Sequence, residues 1–87
     1  MYRVIINRTA EKGMRKMPER IRQKMVVLID DLEAKGPIQK DWKNFSMLGK
    51  DEYHCHLDKK WVACWQCKND SIIIEVNYAG SRENAPY

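Results

Sequence analysis

A chain of 87 residues can build one modest hydrophobic core, so a single domain spanning residues 1–87 is expected. No apolar run is long enough to cross a membrane, and Met-Tyr-Arg-Val-Ile-Ile-Asn is too short for the apolar part of a signal peptide; a cytoplasmic protein without membrane contact is expected. Net charge is +4, with eight basic side chains (Arg3, Arg8, Lys12, Arg15, Lys16, Arg20, Arg22, Lys24) against Glu11 and Glu19 in the first 24 residues. Such a segment suits phosphates or an acidic protein partner, and equally suits a solvated helix face.

Tyr2 to Asn7, with β-branched residues at its centre, predicts a strand. Thr9 can cap a helix over Ala10 to Met17, which Gly13 weakens. Pro18 suits the first turn of a second helix, and Glu19 complements its dipole. Ile21, Met25, Leu28, Ile29 and Leu32 make one apolar stripe, and Gly36-Pro37 ends the helix. Residues 37–50 read as a loop, with Trp42, Phe45 and Leu48 tucked beneath it; packing outweighs base stacking as the role of Trp42.

Three strands follow: Glu52–Leu57, Trp61–Lys68 and Ser71–Tyr78, joined by the short turns Asp58-Lys59-Lys60 and Asn69-Asp70. Short turns imply antiparallel hairpins. Ala79 to Tyr87 reads as an irregular tail. The expected fold is α+β: an N-terminal strand, a two-helix hairpin, then a three-stranded antiparallel meander, with the helices on one face of a twisted sheet. The other face should be free.

Strand side chains alternate between faces. Ile72, Ile74 and Val76 are expected on the core face, as are Tyr53, Cys55 and Leu57. His54 and His56 then point the other way, about 7 Å apart along the strand. Three readings compete. The pair could bind a metal, but its candidate partners Cys64 and Cys67 have opposite parity, and four ligands would converge only across a bulge. It could be a surface pair with no role. It could do acid–base chemistry, since imidazole titrates near neutral pH. With Arg82 and Tyr87 nearby, a phosphodiester site is plausible chemistry for it. The three cysteines, Cys55, Cys64 and Cys67, are an odd number and read as reduced, buried, apolar residues. A redox role for Cys64-Trp65-Gln66-Cys67 would need a helix start, and this stretch is strand.

Leu48-Gly49, Tyr53-His54-Cys55-His56-Leu57, Trp61-Val62-Ala63-Cys64-Trp65, Ile74-Glu75-Val76, Gly80-Ser81-Arg82-Glu83 and Tyr87 together resemble the RelE/ParE superfamily of bacterial toxins. Its progression runs Leu-x-Gly, Tyr-Lys-x-Lys-Leu, Tyr-Arg-x-x-Tyr, Gly-x-Arg and a late Tyr. The order and length of the N-terminal elements match as well, so the resemblance covers the whole chain. It implies a type II toxin–antitoxin toxin: a RelE-like nuclease cutting mRNA on the ribosome without a metal or other cofactor, silenced by a cognate antitoxin protein. By the same resemblance, His54 and His56 stand where the nucleases place two lysines that serve as general base and charge stabiliser. Arg82 matches a tail arginine that contacts the scissile phosphate, and Tyr87 a tyrosine that orients the nucleotide. The family's arginine in the next strand falls on Val62, so Lys59 or Lys60 would have to supply that phosphate contact. ParE-like toxins, which poison DNA gyrase, lack much of the catalytic set and remain the alternative, beside a decayed homologue that only binds antitoxin.

Overall fold

The computed structural model describes residues 1–87. In chain order the elements are β1 (Arg3–Ile6), α1 (Arg8–Lys16), α2 (Glu19–Lys35), β2 (Ser46–Gly49), β3 (Glu52–His56), β4 (Trp61–Gln66) and β5 (Ile73–Ser81). They form two helices and one five-stranded sheet of order β1-β5-β4-β3-β2. Strands β2 to β5 pair antiparallel, and β1 lies parallel to β5 at the other edge. The α+β arrangement expected from the sequence is present, with a longer meander: Ser46–Gly49, inside the expected loop, adds a strand. Ser-Met-Leu-Gly has little intrinsic strand signal, and pairing to β3 rather than propensity holds it extended. Neither helix is long and apolar enough to cross a membrane.

The helices cover one face of the sheet. Ile21, Met25, Leu28 and Leu32 of α2 are fully buried, and Ile29 is half-buried beside them. They meet Tyr53, Cys55, Ala63, Trp65, Ile74 and Val76 from the strands. Phe45, Tyr53 and Trp65 stack in the same core, with ring centroids 5.9 to 6.3 Å apart. Trp42 is half-buried and donates from Nε1 to Asp31 Oδ2 at 2.9 Å. Leu48 departs from its expected place: it is exposed on the edge strand.

Local ends differ from expectation in instructive ways. Asn7, not Thr9, caps α1, accepting the Ala10 N–H at 2.9 Å. The helix thus starts two residues earlier, because Asn7 leaves β1 directly into the cap geometry. Pro18 is the cap of α2 rather than its first-turn residue, and its carbonyl accepts from Ile21 and Arg22. Ile72, expected in the core, lies before β5 and is 58% exposed. Strand β5 runs on to Ser81, past the expected end at Tyr78. Cys64 pairs with Tyr78 and Trp65 with Val76, which leaves Asn77 as an inserted bulge residue. The bulge resets the alternation, so Ala79 rejoins the core face.

Gly13 does more than weaken a helix. A Cβ built on it would sit 1.6 Å from the Ala79 carbonyl oxygen, so α1 rests directly on the backbone of β5. Gly13→Ala should gain about 1 kcal/mol in helix propensity. It should lose more to overpacking, which typically costs about 1–3 kcal/mol and more against rigid backbone. The expected result is a lower urea midpoint for Gly13→Ala. A midpoint equal to or above wild type would contradict this helix–strand contact.

Candidate functional site

Strand β3 presents its two faces as parity requires. Cys55 is fully buried among the helices. His54 and His56 lie on the opposite face, with ring centroids 5.6 Å apart. Across the β3–β4 ladder His54 pairs with Cys64 and His56 with Val62. Cys64 and Val62 are buried yet outside the helix-side cluster, so they floor the histidine face. Cys67 belongs to the helix-side cluster, so Cys64 and Cys67 do point to opposite faces. No group of three or more His, Cys, Asp or Glu side chains is arranged so that it could hold a metal ion.

The element count predicts an open face here, but this face is partly covered. Tyr87 folds back over it, with its ring centroid 4.3 Å from that of His54, and leaves His54 only 8% exposed. Tyr87, Pro86, Tyr78, Asn77, Cys64 and Leu48 line a cleft of about 500 Å³ beside the rings. Sequence parity could place the histidines on this side. It could not foresee the lid, because Tyr87 and His54 are distant in the chain and only the tertiary fold brings them together.

Two side chains that no sequence pattern singles out also meet the histidines: Asn44, after α2, and Ser46, at the start of β2. Ser46 Oγ lies 3.0 Å from His54 Nδ1, and Asn44 Nδ2 lies 3.3 Å from His56 Nδ1. The His56 N–H donates to the Lys43 carbonyl at 2.8 Å. Lys43 also lines a shallow pocket with Lys24, Trp42 and His56.

Arg82 follows β5 and is tied back by its N–H to the Lys60 carbonyl at 2.7 Å. Lys59, Lys60 and Arg82 therefore rim one depression with Trp61 and Ser81. Trp61 and Ser81 are shared with a neighbouring depression lined by Lys12 and Lys16 of α1. The eight basic residues of the N-terminal segment do not act as one surface. Arg15 pairs with Glu11, Arg20 with Asp58, and Lys24 donates to the Leu57 carbonyl.

No family model matches the sequence, and no curated protein matches it. Solved structures do match. The chain is similar to an archaeal RelE–RelB complex from Pyrococcus horikoshii OT3, with a TM-score of 0.75 and 17% identity over 97% of this chain and 98% of that one. It is similar to the isolated RelE toxin of E. coli, with a TM-score of 0.72 and 18% identity over 99% and 89% of the two chains. It is also similar to YafQ from E. coli strain BL21(DE3), with a TM-score of 0.75 and 12% identity over 95% and 96%. The RelE-type fold is thus present along nearly the whole chain.

Both imidazoles are shifted toward the neutral form. Burial pushes His54 below its ordinary value, partly opposed by a hydrogen bond to the Ser46 backbone. Burial also lowers His56, with His54, Arg82 and Lys43 adding repulsion. Burial holds the Tyr87 phenol above its usual range and the Cys64 thiol up to about 12, so both stay protonated at neutral pH. The sign of the linkage follows. Between the lowered folded values and the unfolded histidine value near 6.5, the unfolded chain binds more protons, so stability falls as pH falls through that window. Urea midpoints should therefore drop between pH 7.5 and pH 5.5. The drop should shrink in His54→Gln, and an equal drop in that variant would reject His54 as a source of it.

Proposed function

We propose that this chain is a one-domain toxin of a type II toxin–antitoxin pair that cleaves mRNA on the ribosome, without a metal cofactor. The observation that carries the reading is the convergence of His54, His56 and Tyr87 on one face of a RelE-type fold, with Arg82 close enough to repel a proton from His56.

The chemistry suits RNA. The 2′-OH attacks the adjacent phosphorus, and the P–O5′ bond breaks, leaving a 2′,3′-cyclic phosphate and a 5′-OH. A neutral imidazole is the form that can remove the 2′-OH proton, and both rings are biased to it. An imidazolium partner, the natural charge stabiliser for such a pair, is disfavoured on both rings before RNA binds. A phosphodiester seated beside them would favour it again through its own negative charge. Arg82 remains charged throughout and is the group for the phosphorane oxygens. Lys59 and Lys60 share its depression, which suits them to the phosphate contact that Val62 cannot make. Tyr87 offers its ring to a nucleobase. Lys12 and Lys16 extend the cationic surface toward ribosomal RNA. The antitoxin would be an acidic, amphipathic segment laid on the basic helices or across the histidine face; the similar archaeal RelE is held in a complex with RelB.

One observation favours a second reading, a ParE-like gyrase inhibitor: Val62, on the site floor where the nucleases carry arginine, is fully buried. Cell-free translation of a reporter mRNA with mapping of 3′ ends tests the first reading. Wild type should cleave, and His54→Ala/His56→Ala should lose about 10²–10⁴-fold in rate. Undiminished cleavage by the double variant would remove the acid–base assignment. Absent cleavage together with inhibition of gyrase supercoiling would favour the second reading.

A further inference from the structure

The cleft of about 500 Å³ beside the histidines has no part in the scheme above. Thr9, in the first turn of α1, and Glu52, at the start of β3, complete its lining. Glu52 shares the β3 face of His54 and His56 and lies about 7 Å from His54 along the strand. Asn77 enters the cleft as the bulge residue of β5. Tyr87 is a wall common to both places, since it lines the cleft and its ring lies 4.3 Å from that of His54. A group held in the cleft against Tyr87 stands one aromatic ring away from the histidines.

The lining says what fits. Leu48, Pro86 and the Tyr87 ring give apolar walls, and the Cys64 thiol gives an uncharged floor. Glu52 is the only charged side chain among the lining residues. A phosphate is repelled there, and the cations Lys59, Lys60 and Arg82 gather in another depression. The cleft therefore suits a flat, neutral ring that donates hydrogen bonds, with the phosphates of the same strand lying elsewhere. Its size agrees, since ligand clefts run to roughly 300–1,000 Å³.

Glu52 is free to bind such a ring. The two ion pairs of the chain are Arg15–Glu11 and Arg20–Asp58. Gln66, the ladder partner of Glu52, donates to Glu75 instead, at 3.3 Å. An ionised carboxylate only accepts, through two oxygens side by side. Guanine matches it with adjacent N–H donors at N1 and N2 on its Watson–Crick edge. Adenine and cytosine set an amino group beside an acceptor nitrogen, and uracil sets its N–H between two carbonyls. Asn77 and Thr9 can each donate, which suits the guanine O6.

We propose that this cleft is a guanine pocket, in which Glu52 accepts from N1–H and N2–H and so sets the base preference of the chain. Tyr87 supplies the stacking surface. In catalysis the pocket holds a base flanking the cut phosphodiester. That use rests on the nuclease reading, whereas binding of the base does not.

The test has two arms. In the first, the four nucleoside 5′-monophosphates are titrated into the whole chain and followed by 1H–15N chemical shifts; the phosphate common to all four cancels in the comparison. GMP should bind about tenfold or more tightly than AMP, CMP or UMP, as hydrogen bonds to a charged group allow. Its shifts should centre on Asn77, Cys64 and Tyr87. Glu52→Gln keeps the shape but turns a donor toward the base, and it should abolish the preference. Glu52 is exposed, so the core is left as it was. Equal affinities in wild type, shifts centred outside the cleft, or an unchanged preference in Glu52→Gln overturns the proposal. In the second arm, 3′ ends are mapped in cell-free translation. Cuts should fall beside guanine in wild type and lose that bias in Glu52→Gln. GMP preference without cleavage retains the pocket and removes the nuclease. Cleavage without GMP preference does the reverse.

Discussion

The burial of Cys55 is the constraint on which the site depends. Its side chain is fully enclosed by the helices, and β3 is laddered on both sides by β2 and β4. A strand so held cannot slip by one residue without exchanging its two faces. His54 and His56 are therefore committed to the side away from the helices. The same ladder sets Cys64 and Val62 beside them, and burial keeps the Cys64 thiol neutral, with its pKa at about 12. The floor under the imidazoles is thus apolar and uncharged, which is the physical reason both rings resist protonation. A dry floor also strengthens whatever charges face it.

The wall of the site comes from the other end of the chain. The bulge at Asn77 lets β5 return Ala79 to the core, and Gly13 lets α1 close onto the backbone there. These two contacts set the direction in which residues 80–87 leave the sheet. Arg82 is fastened to the β3–β4 turn, and Tyr87 reaches His54. An aromatic lid then sits over a histidine pair whose own strand does not supply it, and Lys59, Lys60 and Arg82 rim a separate depression. Coulombic coupling across this junction is visible at His56, which Arg82 and Lys43 disfavour as a cation from two different loops.

Much of this was legible residue by residue. The stripe of α2 and the alternation in β3 are short-range patterns, and burial enforces both. Opposite facing of Cys64 and Cys67 follows from the same count. What escaped a linear reading has one cause each. Ile72 fell outside its strand because Ile72-Ile73-Ile74 carries no alternation to show where β5 begins. Asn7 and Thr9 are both good caps, and only the exit from β1 selects Asn7. Gly13 looked like a weak helix residue because helix propensity is local and the Ala79 carbonyl is not. Ser46 and Asn44 were invisible because β2 exists only through its pairing with β3.

By itself, the sequence determined most of the side chains that lie inside, that the helices share one face of the sheet, and that two imidazoles lie on the other. These follow from periodicity, which is a property of neighbours in the chain. Only the tertiary structure decided what surrounds those imidazoles: the hydrogen-bond partners at Nδ1, the floor of Cys64 and Val62, the lid of Tyr87 and the charge of Arg82. Each of those is brought from a distant position by strand pairing or by a close helix–strand approach. The environment of a titrating group depends on such contacts, and no local pattern records them.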